Sequence, residues 1–121
     1  MRIAGRSTLP VMAEPAAGYD ERLELTEAEL DRLTRRLRSL SPRAWQTRRA
    51  YVVETLRALA EIGRAAERRD AYVVPDLPDY ALPDAVAVIG RDALEALART
   101  PVEQLLDRLL SELREALDST R

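Results

Sequence analysis

The stretch VVPDLPDYALPD, residues 73–84, constrains the architecture most, because no α-helix runs through prolines at 75 and 78. Helical periodicity lies on either side of it, so the chain is expected to form two helical halves joined by this segment. Each of its three prolines is followed by an Asp, at positions 76, 79 and 84. Three carboxylates on a stiff segment are the chemistry that Mg²⁺ or Ca²⁺ wants. The spacing is not that of a calcium loop, however, and the glycine of such a loop is missing. Proline fixes the backbone, and Asp accepts hydrogen bonds from nearby amides in turns or favours a helix's first turn. Residues 70–82 are therefore read as a bracing joint, and no metal or cofactor is expected.

The remaining segments read as an all-α bundle of about four helices, roughly 26–40, 42–69, 83–99 and 101–118. Thr26 and Glu29 have capping-box spacing, with Leu30, Leu33, Leu37 and Leu40 on one face behind them. Ser41-Pro42 ends this helix and starts the next, whose apolar face holds Trp45, Val52, Leu56, Leu59, Ala60 and Gly63. Gly63 there admits close approach of another helix. The third helix is apolar over most of its circumference and should be buried on several sides or lie at a subunit interface. Thr100-Pro101-Val102-Glu103 combines a cap, a first-turn proline and a capping acid, and Val102, Leu106, Leu109, Leu113 and Ala116 follow it at 4-3-4-3 spacing. Helices one and two are expected to pair antiparallel, as are three and four. Residues 1–24, rich in Pro, Ala and Gly and without a period, read as an N-terminal arm to a single helical domain at 25–121.

Composition narrows the chemistry. The 121 residues include no Cys and no His, and all 19 basic residues are Arg. Thiolate chemistry, Cys-ligated metals, imidazole acid–base work and lysine Schiff bases are thereby excluded. A GC-rich coding sequence accounts for the Arg-only bias. Acid catalysis by a carboxylate pair is the one broad enzymatic option left, and no recognisable catalytic constellation accompanies it. The chain is expected not to be an enzyme. No stretch approaches a membrane span or a signal-peptide core, so a cytoplasmic location is the default.

What remains is binding. The leading expectation is a small interaction or scaffolding module that self-associates as a symmetric homodimer or binds a protein partner. Val88, Leu105 and Leu110, on the flanks of their stripes, are the interface candidates. A second reading starts from Arg32–Arg49, which holds seven arginines and no acid. There Arg35, Arg36, Arg38, Arg43 and Arg48 would serve a nucleic-acid-associated regulator, with Trp45 and Tyr51 to stack on bases. An overall pI of about 5.3 opposes it. A third reading is a small-ligand sensor with a pocket between helix pairs near Trp45. Arg49 lies on the apolar face of its helix, where an acid from the Pro-Asp joint or the N-terminal arm is expected to reach it.

Overall fold

A computed structural model describes residues 18–70 and 73–121. Four α-helices follow one another, α1 (Tyr19–Arg38), α2 (Pro42–Ala66), α3 (Leu82–Arg99) and α4 (Glu103–Ser119), with a single 3-10 turn at Asp79–Ala81 and no strand among the described residues. The fold is an all-α bundle. Its core is aliphatic: Leu30, Leu33 and Leu37 of α1, Leu56, Leu59 and Ile62 of α2, Val86 and Leu97 of α3, and Leu106, Leu109 and Leu113 of α4 are all buried. Each such leucine or isoleucine contributes about 1.5–3 kcal/mol by leaving water.

The helix boundaries correct the sequence reading at three places. α1 begins at Tyr19, not at 26, so residues 19–24 belong to the helix and the rest of the expected arm, 1–17, lies outside the described residues. Gly18 starts it with φ +93°, a left-handed conformation that side chains rarely adopt, and Asp20 and Glu21 place acids at the positive end of the helix. Thr26 is not a cap; it is fully buried mid-helix, and its hydroxyl donates to the Arg22 carbonyl at 2.5 Å. Glu29 turns instead to Arg32, at 2.8 Å, and Arg114, at 3.8 Å. α2 stops at Ala66 rather than 69, where Arg68 takes φ +57° and the Arg69 N–H donates back to the Arg64 carbonyl at 2.9 Å. α4 begins at Glu103 and uses no side-chain cap, while Thr100 closes α3. Ser41-Pro42 behaves as its residue types dictate: the Ser41 hydroxyl accepts the Ala44 N–H at 3.1 Å.

The pairing of the helices also differs from expectation. α1 packs lengthwise on α3 and α4, and so does α2; α1 with α2, and α3 with α4, occupy opposite corners. Cross-links give the directions. Arg38 pairs with Asp84 at 2.8 Å, and Arg91 with Glu27 and Asp31 at 3.1 and 3.4 Å, so α1 and α3 are antiparallel. Arg22 pairs with Glu103 and Asp107 at 2.8 and 2.7 Å, while Arg36 donates to the Leu117 carbonyl, so α1 and α4 run parallel. By the same logic α2 is parallel to α3 through Arg99–Glu67 and antiparallel to α4 through Arg108–Glu61. The physical cause lies in α3. Its apolar circumference needs cover on two sides, and two small contacts supply it, Gly90 beneath Leu30 of α1 and Ala93 beside Gly63 of α2. With α3 packed on both of them, α1 and α2 follow one another through the 39–41 corner without packing lengthwise on each other.

Because α2 and α3 are parallel, the segment between them must return along the bundle. The α3 helix has 18 residues and spans about 27 Å at ~1.5 Å per residue. The Pro-Asp joint is thus a strap and not a corner. It runs back along α2, with Arg64 Nε donating to the Asp70 carbonyl at 2.8 Å near one end and Arg49 meeting residues 76–79 near the other. Val74, midway, is buried and shares a depression with Val53 and Leu56 of α2. Proline's fixed, extended-compatible φ and missing N–H suit such a strap, which has no backbone ladder to join.

Candidate interaction surfaces

The best-built polar cluster is at the end of the strap. Arg49 projects from α2 and its guanidinium donates to the Leu77 carbonyl at 2.5 Å, to the Asp76 carboxylate at 3.1 Å and to the Asp79 carboxylate. The side chain is about two-thirds buried, while Asp76 is almost wholly in water. Asp84 faces elsewhere, to Arg38 of α1. The three aspartates therefore divide between two arginines on different helices. Among the described residues no group of three or more carboxylates is placed to hold a metal ion.

Exposed apolar surface is concentrated on the strap and the start of α3. Val73 is 91% exposed, Tyr80 78% and Val88 60%, and Leu25 on α1 is the remaining large hydrophobic in this class among the described residues. Tyr80, Asp84 and Val88 recur at four-residue intervals and so lie along one line of α3 and its lead-in turn. Leu105 and Leu110 are placed differently. Both are half-buried on flanks of α4, and Leu105 packs against the core. Since α4 stands at the corner opposite α3, the three interface candidates do not form one surface. Tyr80 lies in line with Val88 instead, and Val73 is exposed further back along the strap. Their signal was only their place in a segment too extended to bury every side chain.

The arginines gather at one end of the bundle, where α1 and α4 finish and α2 and α3 begin. Arg36 donates to the Leu117 carbonyl in the last turn of α4 at 2.9 Å, where the helix dipole favours cations, and Arg48 to the backbone oxygen of Arg121, just past the helix, at 3.3 Å. Arg38 pairs with Asp84. Arg35 and Arg43 have no partner among the described residues. Two shallow depressions flank the end of α4, one lined by Arg32, Arg35, Arg36 and Ser39, the other by Ser41, Arg43, Thr47, Arg48 and Arg121 among others. Trp45 is 8% exposed and belongs to the core, so it offers no stacking platform. Tyr51 is half-buried and packs against that core.

A further groove separates α2 from α3, floored by Ala60, Gly63 and Ala93 and rimmed by Arg69, Asp92 and Glu95. It follows from the small residues that let these helices approach. No helix among the described residues is long and apolar enough to cross a membrane. Comparison of the chain with protein-family models, with curated proteins and with solved structures finds no match.

Proposed function

We propose that this chain is a small non-enzymatic association module, that its working surface is the outer face of α3, and that its partner is a second copy of itself. The observation that carries the reading is Val88, 60% exposed in the middle of a well-packed helix whose other exposed positions, Ala98 apart, are charged. Tyr80 extends that apolar exposure along the same line, and the Arg49-held strap fixes the turn on which it stands. The pattern Tyr80, Asp84, Val88, Arg91, Glu95 is self-complementary. An antiparallel copy crossing near Val88 brings Val88 against Val88 and Tyr80 beside Glu95, the isologous arrangement of a two-fold dimer. Asp84 and Arg91, which already pair with Arg38, Glu27 and Asp31 of α1, flank the seam and share their charge across it.

Sedimentation velocity tests this. The parent is expected to dimerise between micromolar and hundred-micromolar concentration, and Val88→Glu to remain a monomer with an unchanged melting temperature. Because the chain contains no cysteine, Val88→Cys offers a second reading: mild oxidation should give a covalent dimer, whereas Ser111→Cys on α4 should not. A parent that stays monomeric throughout, or equal cross-linking of the two cysteine variants, rules the proposal out.

A further inference from the structure

We infer that the arginine end of the bundle binds the phosphate backbone of nucleic acid without regard to sequence. Seven arginines, at positions 32, 35, 36, 38, 43, 48 and 121, come together there from α1, α2 and the end of the chain. Acids answer some of them: Glu29 takes Arg32, Asp84 takes Arg38 and Asp118 takes Arg121. Arg36 is held by the Leu117 carbonyl of α4 and Arg48 by the backbone oxygen of Arg121, each a single contact that orients the guanidinium while leaving most of its N–H donors unused. Arg35 and Arg43 remain wholly unanswered among the described residues.

Arg43 is the most informative. It sits in the first turn of α2, a turn that contains no acidic residue. That is the positive end of the helix dipole, where a cation is disfavoured and an anion welcomed. α1, by contrast, opens on Asp20 and Glu21 and α3 on Asp84. A local rule broken at one helix start, at the same end of the bundle as a second unpaired arginine, is the pattern of a surface awaiting an anion from outside.

The lining chooses the kind of anion. Besides arginine the two depressions present Ser39, Ser41, Thr47 and Thr120, with Leu40 and Ala44 adding apolar surface to the second and no aromatic ring in either. Protein partners are anchored by buried aromatic and aliphatic side chains, of which this end offers only Ala44 and Leu40, the latter partly taken up by the core. Phosphate oxygens are contacted by arginine, by small hydroxyls and by helix N-termini, which it has. With Trp45 buried there is no means of reading bases, so binding is to backbone alone. The net charge of −2 makes the interaction short-ranged and strongly dependent on salt.

Fluorescence anisotropy with a labelled DNA duplex of arbitrary sequence, titrated at increasing salt, tests the inference. The slope of log K against log salt is expected near about −2 to −4, as for two to four phosphates, and the same for an unrelated duplex. Arg35→Glu with Arg43→Glu should weaken binding at least about tenfold and flatten the slope by roughly two; Arg35→Gln with Arg43→Gln should do the same more mildly. Arg68→Glu with Arg69→Glu, an identical charge change at the far end of α2, should leave the slope unaltered. No binding at low salt overturns the inference, as does an equal loss in the Arg68/Arg69 variant. So does competition by poly-glutamate as strong, charge for charge, as by unlabelled DNA, which would assign this end to an acidic polypeptide. Val88→Glu, which tests the dimer, should retain binding per chain, so the two proposals fail separately.

Discussion

Tyr19 fastens three helices with one side chain. Its ring is buried, its hydroxyl donates to the Leu97 carbonyl at 2.8 Å, and the same oxygen accepts the Val102 N–H at 3.2 Å. The end of α3 and the start of α4 are thereby fastened to the first residue of α1, and α4 can begin without a side-chain cap. Tyr19→Phe keeps the ring and leaves both backbone groups unpaired, so urea unfolding near neutral pH should show a loss of about 1–2 kcal/mol. Burial also pushes the Tyr19 phenol above its ordinary value of 10.0, against the smaller opposing pull of the Val102 N–H and the Arg22 charge. The neutral phenol is therefore favoured in the folded chain. Its contribution is intact below the unfolded value of about 10 and is lost as pH rises from there, because the unfolded state gives up its proton first. Stability of the parent should fall above that pH more steeply than that of Tyr19→Phe. Parallel profiles for the two proteins would show that this hydroxyl does not titrate with folding.

At the scale of elements, two glycines on buried helix faces separate tolerance from strain. A Cβ on Gly90 would stand 2.6 and 2.9 Å from the two terminal methyls of Leu30, a residue only 1% exposed and without room to turn. Overpacking of that kind costs about 1–3 kcal/mol, which exceeds the gain of about 0.8–1 kcal/mol from replacing a helical glycine by alanine. Gly90→Ala should lower the melting temperature. A Cβ on Gly63 would meet the Ala93 Cα at 3.3 Å, so α2 and α3 need yield only slightly and Gly63→Ala should be near neutral. Thermal melts of the two variants, compared side by side, decide the matter; reversal of their order would put the tight helix contact at α2–α3 instead. Gly63 was legible in the sequence because it lies squarely on the apolar face of its helix. Gly90 was not, because the third helix is apolar almost all round and its stripe gives no single inward direction. The start of α1 was missed for a related reason. Thr26 and Glu29 have the spacing of a cap, yet Tyr19, Leu23, Thr26, Leu30, Leu33 and Leu37 follow a 4-3-4-3-4 pattern once a threonine that bonds its own helix is admitted to the buried face.

At the scale of the whole molecule, element order could be read from punctuation but helix pairing could not. Pro42 and Pro83 mark helix starts wherever the helices end up, whereas pairing depends on which stripes interlock in three dimensions. Short corners at 39–41 and 100–102 suggest adjacent antiparallel hairpins, and the packing of α3 on both α1 and α2 overrides them. The parallel α2–α3 pair then makes the strap the one long connection among the described residues, with Arg49 its main polar fastening. Arg49→Ala removes three contacts at once. Asp76 is nearly fully solvated, so its ion pair adds little. Asp79, half-exposed, and the Leu77 carbonyl carry the rest. The expected loss is about 1–2 kcal/mol, accompanied by faster amide exchange across residues 73–81 and little change in the helices. In a double-mutant cycle Asp79→Asn should couple to Arg49→Ala and Asp76→Asn should not. An Arg49→Ala protein with unchanged stability and unchanged exchange in the strap would mean that Val74, buried against α2, holds it unaided. In that case the apolar contact, and not the ion pairs, would position Tyr80 ahead of α3.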